Sequence, residues 1–168
     1  MKTLADYPEL CTQLHPDNET GLNPEAISYG SNKKLLWKCS VSDDHVWKAS
    51  VKERLSNGRG CPFCAGKKAS VTNRLDIRFP DLATMWLQEL NGGLDVSSVT
   101  YGSGKIFWWQ CPKGEQHKFQ ARVTELVNKK AGCPFCRGKK ICDNNNLAKL
   151  FPTLASQWHQ EKNAGLSP

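Results

Sequence analysis

No apolar run in these 168 residues approaches the roughly 20 needed to cross a bilayer. The start, Met1-Lys2-Thr3-Leu4-Ala5-Asp6, lacks the apolar stretch of a secretory signal. These two absences argue against a membrane protein. They lead to the expectation of a soluble, cytoplasmic chain in a reducing compartment, where cysteines bind metal or do chemistry rather than pair. The sequence is also poor in what catalysis requires. It has only four histidines and no carboxylate cluster of the Asp…Glu-x-Lys type, whereas a catalytic site needs acid, base and metal groups together. The expectation is no enzyme and no small-molecule substrate.

What the chain does have is a repeat. Cys39, His45, Cys61 and Cys64 recur as Cys111, His117, Cys133 and Cys136, each displaced by 72 positions without insertion. A third, partial copy shows at Tyr7-Pro8, Phe79-Pro80 and Phe151-Pro152. Fixed-period self-similarity predicts tandem modules. The boundaries read as a helical spacer at 1–28, a module at 29–72, a spacer at 73–100, a second module at 101–140 and a partial third repeat at 141–168. Each cysteine segment, about 40 residues long, is too short for a self-sufficient core, so a metal or disulfides must brace it.

Within each copy the order is Cys-x₅-His, fifteen residues, then Cys-Pro-Phe-Cys-x-Gly-Lys-Lys. Two cysteines separated by two residues point into one turn, and the earlier Cys and His complete a tetrahedron. Thiolates plus imidazole select zinc over hard cations. Four protein ligands leave no open position, so the expectation is two structural Zn²⁺ ions. A redox Cys-x-x-Cys would need a different context, and disulfides would leave one odd cysteine per module. Spacing alone is compatible with an iron–sulfur cluster, but the histidines and the basic turns argue against it. Cys11 and Cys142 have Ala83 and Ser70 as their counterparts and read as ordinary free cysteines, not ligands.

Period-two alternation at Trp47, Ala49 and Val51, and at Phe119, Ala121 and Val123, predicts half-buried strands. Leu35–Lys38 and Phe107–Gln110 read as their partners, with Ser42–Asp44 and Lys113–Gln116 as the turns leading to the histidines. In the spacers, Pro152 suits a first helical position. Leu154, Ala155 and Trp158 share a helical face, as do Leu82, Ala83 and Trp86, and Leu10, Cys11 and Leu14. The fold class is therefore small α+β zinc-bound modules, tandem β-hairpins joined by short helices.

The order F/Y-P-x-L, Y-G-S, W-x-C, H-x-W/F-x-A and G-C-P-F-C-x-G-K resembles a bacterial and phage zinc-ribbon family with a treble-clef-like zinc finger, usually found in tandem. The match covers residues 7–68 and 79–140 fully and 147–168 in part. Trp37, Cys39, His45, Trp47, Cys61, Pro62, Cys64 and Gly66 carry it, with Trp109, Cys111, His117, Cys133, Pro134, Cys136 and Gly138. Departures are Phe119 for a Trp, Leu14 for the helix Trp and Ser40 for a Pro. Members of that family often accompany restriction-endonuclease-like domains, including very-short-patch-repair-like ones. The resemblance thus implies a DNA-targeting role.

The net charge of +7 is concentrated on the cysteine segments. Residues 1–32 carry −4, 33–72 carry +6, 73–104 carry −2, 105–140 carry +7 and 141–168 are neutral. Zinc bound by three thiolates would lower the sum by one per site, to about +5. A basic face is the electrostatic footprint of nucleic-acid binding. The candidate phosphate contacts are Lys33, Lys34, Arg59, Lys67, Lys68, Lys105, Lys129, Lys130, Arg137, Lys139 and Lys140. Trp37, Trp47, Trp109 and Phe119 read as core rather than as base-stacking platforms. The expected function is nucleic-acid binding without catalysis, DNA being favoured over RNA. The alternative is a protein-interaction or assembly adaptor in a larger nucleic-acid-targeting or defence complex.

Overall fold

A computed structural model describes residues 2–55 and 57–168. The chain forms two compact units, Met1–Pro80 with Asp95–Ser103, and Asp81–Leu94 with Gly104–Pro168. Among the described residues, no helix is long and apolar enough to cross a membrane.

In the first unit, strands β1 (Lys34–Cys39) and β2 (Ser42–Ser50) form an antiparallel hairpin. Trp37 stands opposite Trp47, and the register slips between Lys38 and Cys39. Such a slip re-aims a side chain at a strand end, and here the residue concerned is Cys39. The preceding segment, with helix α1 (Pro8–Cys11), lies along the hairpin: Leu14 bridges to Trp37, and the Lys38 N–H donates to Gln13 O at 2.7 Å. Leu4, Ile27, Leu35, Trp37, Trp47 and Val51 make the core. Trp37 is completely buried and satisfies its indole by donating from Nε1 to Ala49 O at 2.9 Å.

The second unit repeats the plan with β3 (Ile106–Gln110) and β4 (Lys118–Arg122). Trp109 stands opposite Phe119, and both are buried. Trp109 Nε1 donates to Ala121 O at 3.0 Å. Trp86 now fills the place of Leu14. Its ring meets Phe107 at 4.7 Å and stands edge-on to Trp109 at 5.4 Å. The pair Trp86–Phe107 thus packs where the first unit has Leu14 and Leu35, and Phe119 stands where the first unit has Trp47.

Three expectations need correction. The strand face does not run on to Val51 and Val123, because both begin short helices, α2 (Val51–Leu55) and α5 (Val123–Val127). Ser50-x-x-Glu53 explains the first. The Ser50 N–H donates to Glu53 Oε2 at 2.9 Å, and the Glu53 N–H donates back to Ser50 Oγ at 3.2 Å. This reciprocal cap starts a helix, and Val51 remains fully buried at its first turn.

Next, Ser42–Asp44 is not a free turn but the beginning of β2, whereas in the second unit β4 starts only after His117. Lastly, the spacer helices are single turns: α3 (Leu75–Arg78), α4 (Pro80–Ala83), α6 (Leu147–Leu150) and α7 (Pro152–Ala155). The contact residues Leu14 and Trp86 lie beyond the helix ends as bridge partners of the hairpins. Strand pairing overrides the helical period there.

Candidate metal centres

Each tetrad gathers ligands from three places: the end of the first strand, the second strand or its entry, and a knuckle after the short helix. Cys39, His45, Cys61 and Cys64 bring their ligand atoms within 4.8 Å of one another, as do Cys111, His117, Cys133 and Cys136. The spacings test the fit. A tetrahedral ion with Zn–S near 2.3 Å and Zn–N near 2.0–2.1 Å requires S···S edges of about 3.8 Å and S···N edges of about 3.6 Å. Cys39 Sγ lies 3.7 Å from Cys64 Sγ, and Cys111 Sγ lies 3.6 Å from Cys136 Sγ. His45 Nδ1 is 3.6 Å from Cys61 Sγ and 3.5 Å from Cys64 Sγ. His117 Nδ1 is 3.5 Å from Cys136 Sγ. These are the edges of a zinc tetrahedron, with Nδ1 as the ligating nitrogen.

A family model described as a probable treble clef zinc finger domain matches residues 10–67 and again 82–139. The chain belongs to that family. No curated protein was found to match it. The two treble clef modules each hold one structural zinc ion, through four of the eight ligands that the repeat singles out.

The knuckles of both modules are built alike. Gly66 and Gly138 adopt φ of +67°, a left-handed turn that favours glycine. It lets Lys67 N–H and Lys139 N–H return to the carbonyls of Pro62 and Pro134 at 2.8 Å. Asn73 then donates from Nδ2 to Phe63 O at 2.8 Å and to Lys68 O at 3.0 Å. Asn145 makes the same pair of bonds to Phe135 and Lys140. Sequence reasoning missed these two asparagines, although they too are 72 positions apart. Each His ring stacks on the knuckle phenylalanine, His45 on Phe63 and His117 on Phe135, both at 5.0 Å. Lys68 and Lys140 sit over the same two rings at 5.9 Å.

Without metal, crowding splits the acidities of the thiols. Burial pushes the Cys39 thiol up, but the Val41 backbone and the neighbours His45, Cys64 and Cys61 outweigh it and bring it down to about 7. Burial, then hydrogen bonds with Cys39 and Cys61, drive Cys64 up to about 12. Cys136 is driven up to about 11 for the same reasons, with Cys111 and Cys133 as its neighbours. At pH 7 these last two thiols keep their protons until a cation takes their place.

The sign follows. In the metal-free fold, thiols raised above the ordinary 9.0 contribute stability below pH 9 that is lost as pH rises toward 11–12. The zinc-bound fold behaves oppositely and loses its metal as pH falls, because ligands must shed protons to bind. Adding two equivalents of Zn²⁺ to metal-free protein at pH 7 in weak buffer is expected to release protons, read with an indicator dye. Zinc uptake without acidification would contradict the thiolate assignment.

All eleven basic residues picked out above are exposed, but they are not equivalent. Lys33 is paired with Glu19 at 2.9 Å and Arg59 with Glu53 at 2.8 Å, which neutralises part of the first module's charge. In the second module, Lys130, Arg137 and Lys139 line one groove of roughly 390 Å³ together with Glu125. None of the three makes an ion pair among the described residues. Their first-module counterparts are Gly58, Ala65 and Lys67. Cys142, set aside above as an ordinary free cysteine, is buried with its Sγ 3.2 Å from His117 Nε2. Cys11 donates its S–H to Leu4 O at 3.3 Å and is remote from any ligand role.

Proposed function

We propose that the chain is a zinc-stabilised nucleic-acid-binding protein, with DNA favoured over RNA, and that it carries no catalysis of its own. The observation that carries this reading is the groove beside the second knuckle, lined by the unpaired cations Lys130, Arg137 and Lys139 against a single carboxylate, Glu125. Such a concavity suits the phosphodiester backbone, whose contacts set affinity and position without reading sequence. The strand aromatics support backbone recognition over base stacking, because Trp37, Trp109 and Phe119 are buried. Each metal is saturated by four side chains, leaving no position to activate water. The remaining histidines sit in local loop contacts, His15 beside Asp17 and His159 beside Lys162.

The test is fluorescence anisotropy of the zinc-loaded chain with duplex DNA, single-stranded DNA and RNA. Nanomolar-to-micromolar binding is expected, weakening by orders of magnitude between roughly 50 and 200 mM salt. Binding that is absent, or indifferent to salt, would reject the reading.

One observation favours an adaptor as a second reading. In the segment with α6 and α7, Leu150, Phe151, Leu154 and Leu166 are more than half exposed, and large apolar side chains exposed along one short segment suit a contact surface. Partner capture that survives high salt and loss of the groove cations would favour it.

A further inference from the structure

The two metal centres share their ligands and differ in what surrounds them. Around the first, His45 Nε2 lies 2.9 Å from Ser70 Oγ and 3.0 Å from Thr72 Oγ1, with Asp44 Oδ1 3.9 Å away. Around the second, His117 Nε2 meets the sulfur of Cys142 at 3.2 Å. The counterparts of Thr72 and Asp44 there are Asn144 and Gln116, and the Gln116 side chain is engaged with Asp143.

With Nδ1 on the metal, a neutral imidazole keeps its proton on Nε2 and must donate it. A hydroxyl oxygen accepts that bond well; a thiol sulfur accepts it weakly. Partners of this kind orient the ring and raise its basicity toward the ion. The first site has two hydroxyl acceptors and a nearby carboxylate, and the second has one thiol.

A second difference points the same way. Three thiolates, one imidazole and Zn²⁺ sum to −1. Beside the first site Arg54 is buried, its guanidinium 5.0 Å over Trp37 and 5.2 Å over Trp47, with Nη1 donating to Arg59 O at 2.6 Å. Burial disfavours its charge, while Cys61 and Cys39 favour it. The counterpart of Arg54 in the second module is Leu126, buried and uncharged.

We infer that the two zinc sites are unequal: the first holds its ion more tightly, the second is the labile one, and Cys142 is the positioning residue that keeps it so. Cys142 acts through His117 and is not itself a ligand, since the second tetrad is complete without it. Outer partners of this type shift metal affinity by about 10–100-fold.

The experiment uses the full chain loaded with two equivalents of zinc and titrated with a chromophoric chelator. One zinc per chain is expected to leave at about tenfold or more lower chelator than the other. Cys111→Ser removes the second site and is expected to leave only the tight phase. Cys142→Ser places the hydroxyl of Ser70 at the corresponding position, so it is expected to narrow the gap several-fold by tightening the labile phase, with Arg54 accounting for the remainder. Cobalt substitution supplies a readout that folding alone does not move: the thiolate-to-cobalt charge-transfer intensity of Cys142→Ser is expected to equal that of wild type. Simultaneous withdrawal of both zinc ions from wild type, an unchanged gap in Cys142→Ser, or a loss of charge-transfer intensity in that variant would each overturn the inference.

Discussion

Exhaustive chelation of the purified chain is expected to abolish its near-UV circular dichroism and release two zinc ions per molecule. The signal comes from Trp37, Trp47 and Trp109, which are buried against their own hairpins. Burial of a few aromatics in so small a unit does not outweigh the conformational entropy of ordering it. The knuckles carrying Cys61 and Cys64, and Cys133 and Cys136, are tied to the hairpins by the shared ligand sets and the stacked His–Phe pairs. Zinc contributes on the order of 10–16 kcal/mol apparent at pH 7 in modules of this size, as much as a small domain's whole stability. In Cys61→Ser the first hairpin is expected to be lost and the second largely kept, because the ligands of each site come from one unit. An aromatic signal that survives removal of both metals would contradict this account, as would far fewer than two zinc ions by elemental analysis.

Replacing Lys130, Arg137 and Lys139 together by Gln is expected to weaken DNA binding strongly and to flatten its dependence on salt. Each phosphate neutralised contributes about 0.9 to the slope of log K against log salt on duplex DNA, so three lost contacts lower it by about 2.7. The same number of substitutions at Lys33, Arg59 and Lys67 is expected to do less, since Lys33 and Arg59 already face Glu19 and Glu53. All six side chains are exposed, so neither set disturbs the core. Equal losses from the two sets would mean that summed charge, and not the groove, governs binding.

The eight ligands were legible because metal binding constrains residue type and spacing together, and both survive unchanged in a linear sequence. The hairpins were legible from alternation, as at Trp47 and Ala49 or Phe119 and Ala121, which a pleated strand requires. Helices α2 and α5 were not, because five residues are too few to display a helical period, although the Ser50-x-x-Glu53 cap was readable. Burial of Arg54 is a tertiary effect: its place over the paired Trp37 and Trp47 exists only once the strands pair. The ion pairs of Lys33 and Arg59 were invisible for a similar reason, their partners lying fourteen and six positions away. The contact of Cys142 with His117 was not legible, because Ser70 and Cys142 share no residue identity, only a small side chain able to accept a hydrogen bond from histidine. At that position the repeat preserves a role and changes the atom that fills it.

Lys68 lies over the Phe63 ring that stacks on His45, and Lys140 over the Phe135 ring that stacks on His117, so each ammonium group is tied through aromatic rings to a metal ligand. Where that cation stands is therefore dictated from beneath by coordination chemistry. A cell short of zinc would hold a polypeptide that keeps every lysine and arginine but no longer fixes them at the spacing of a phosphate ladder. Metal supply would then act as a gate on recognition.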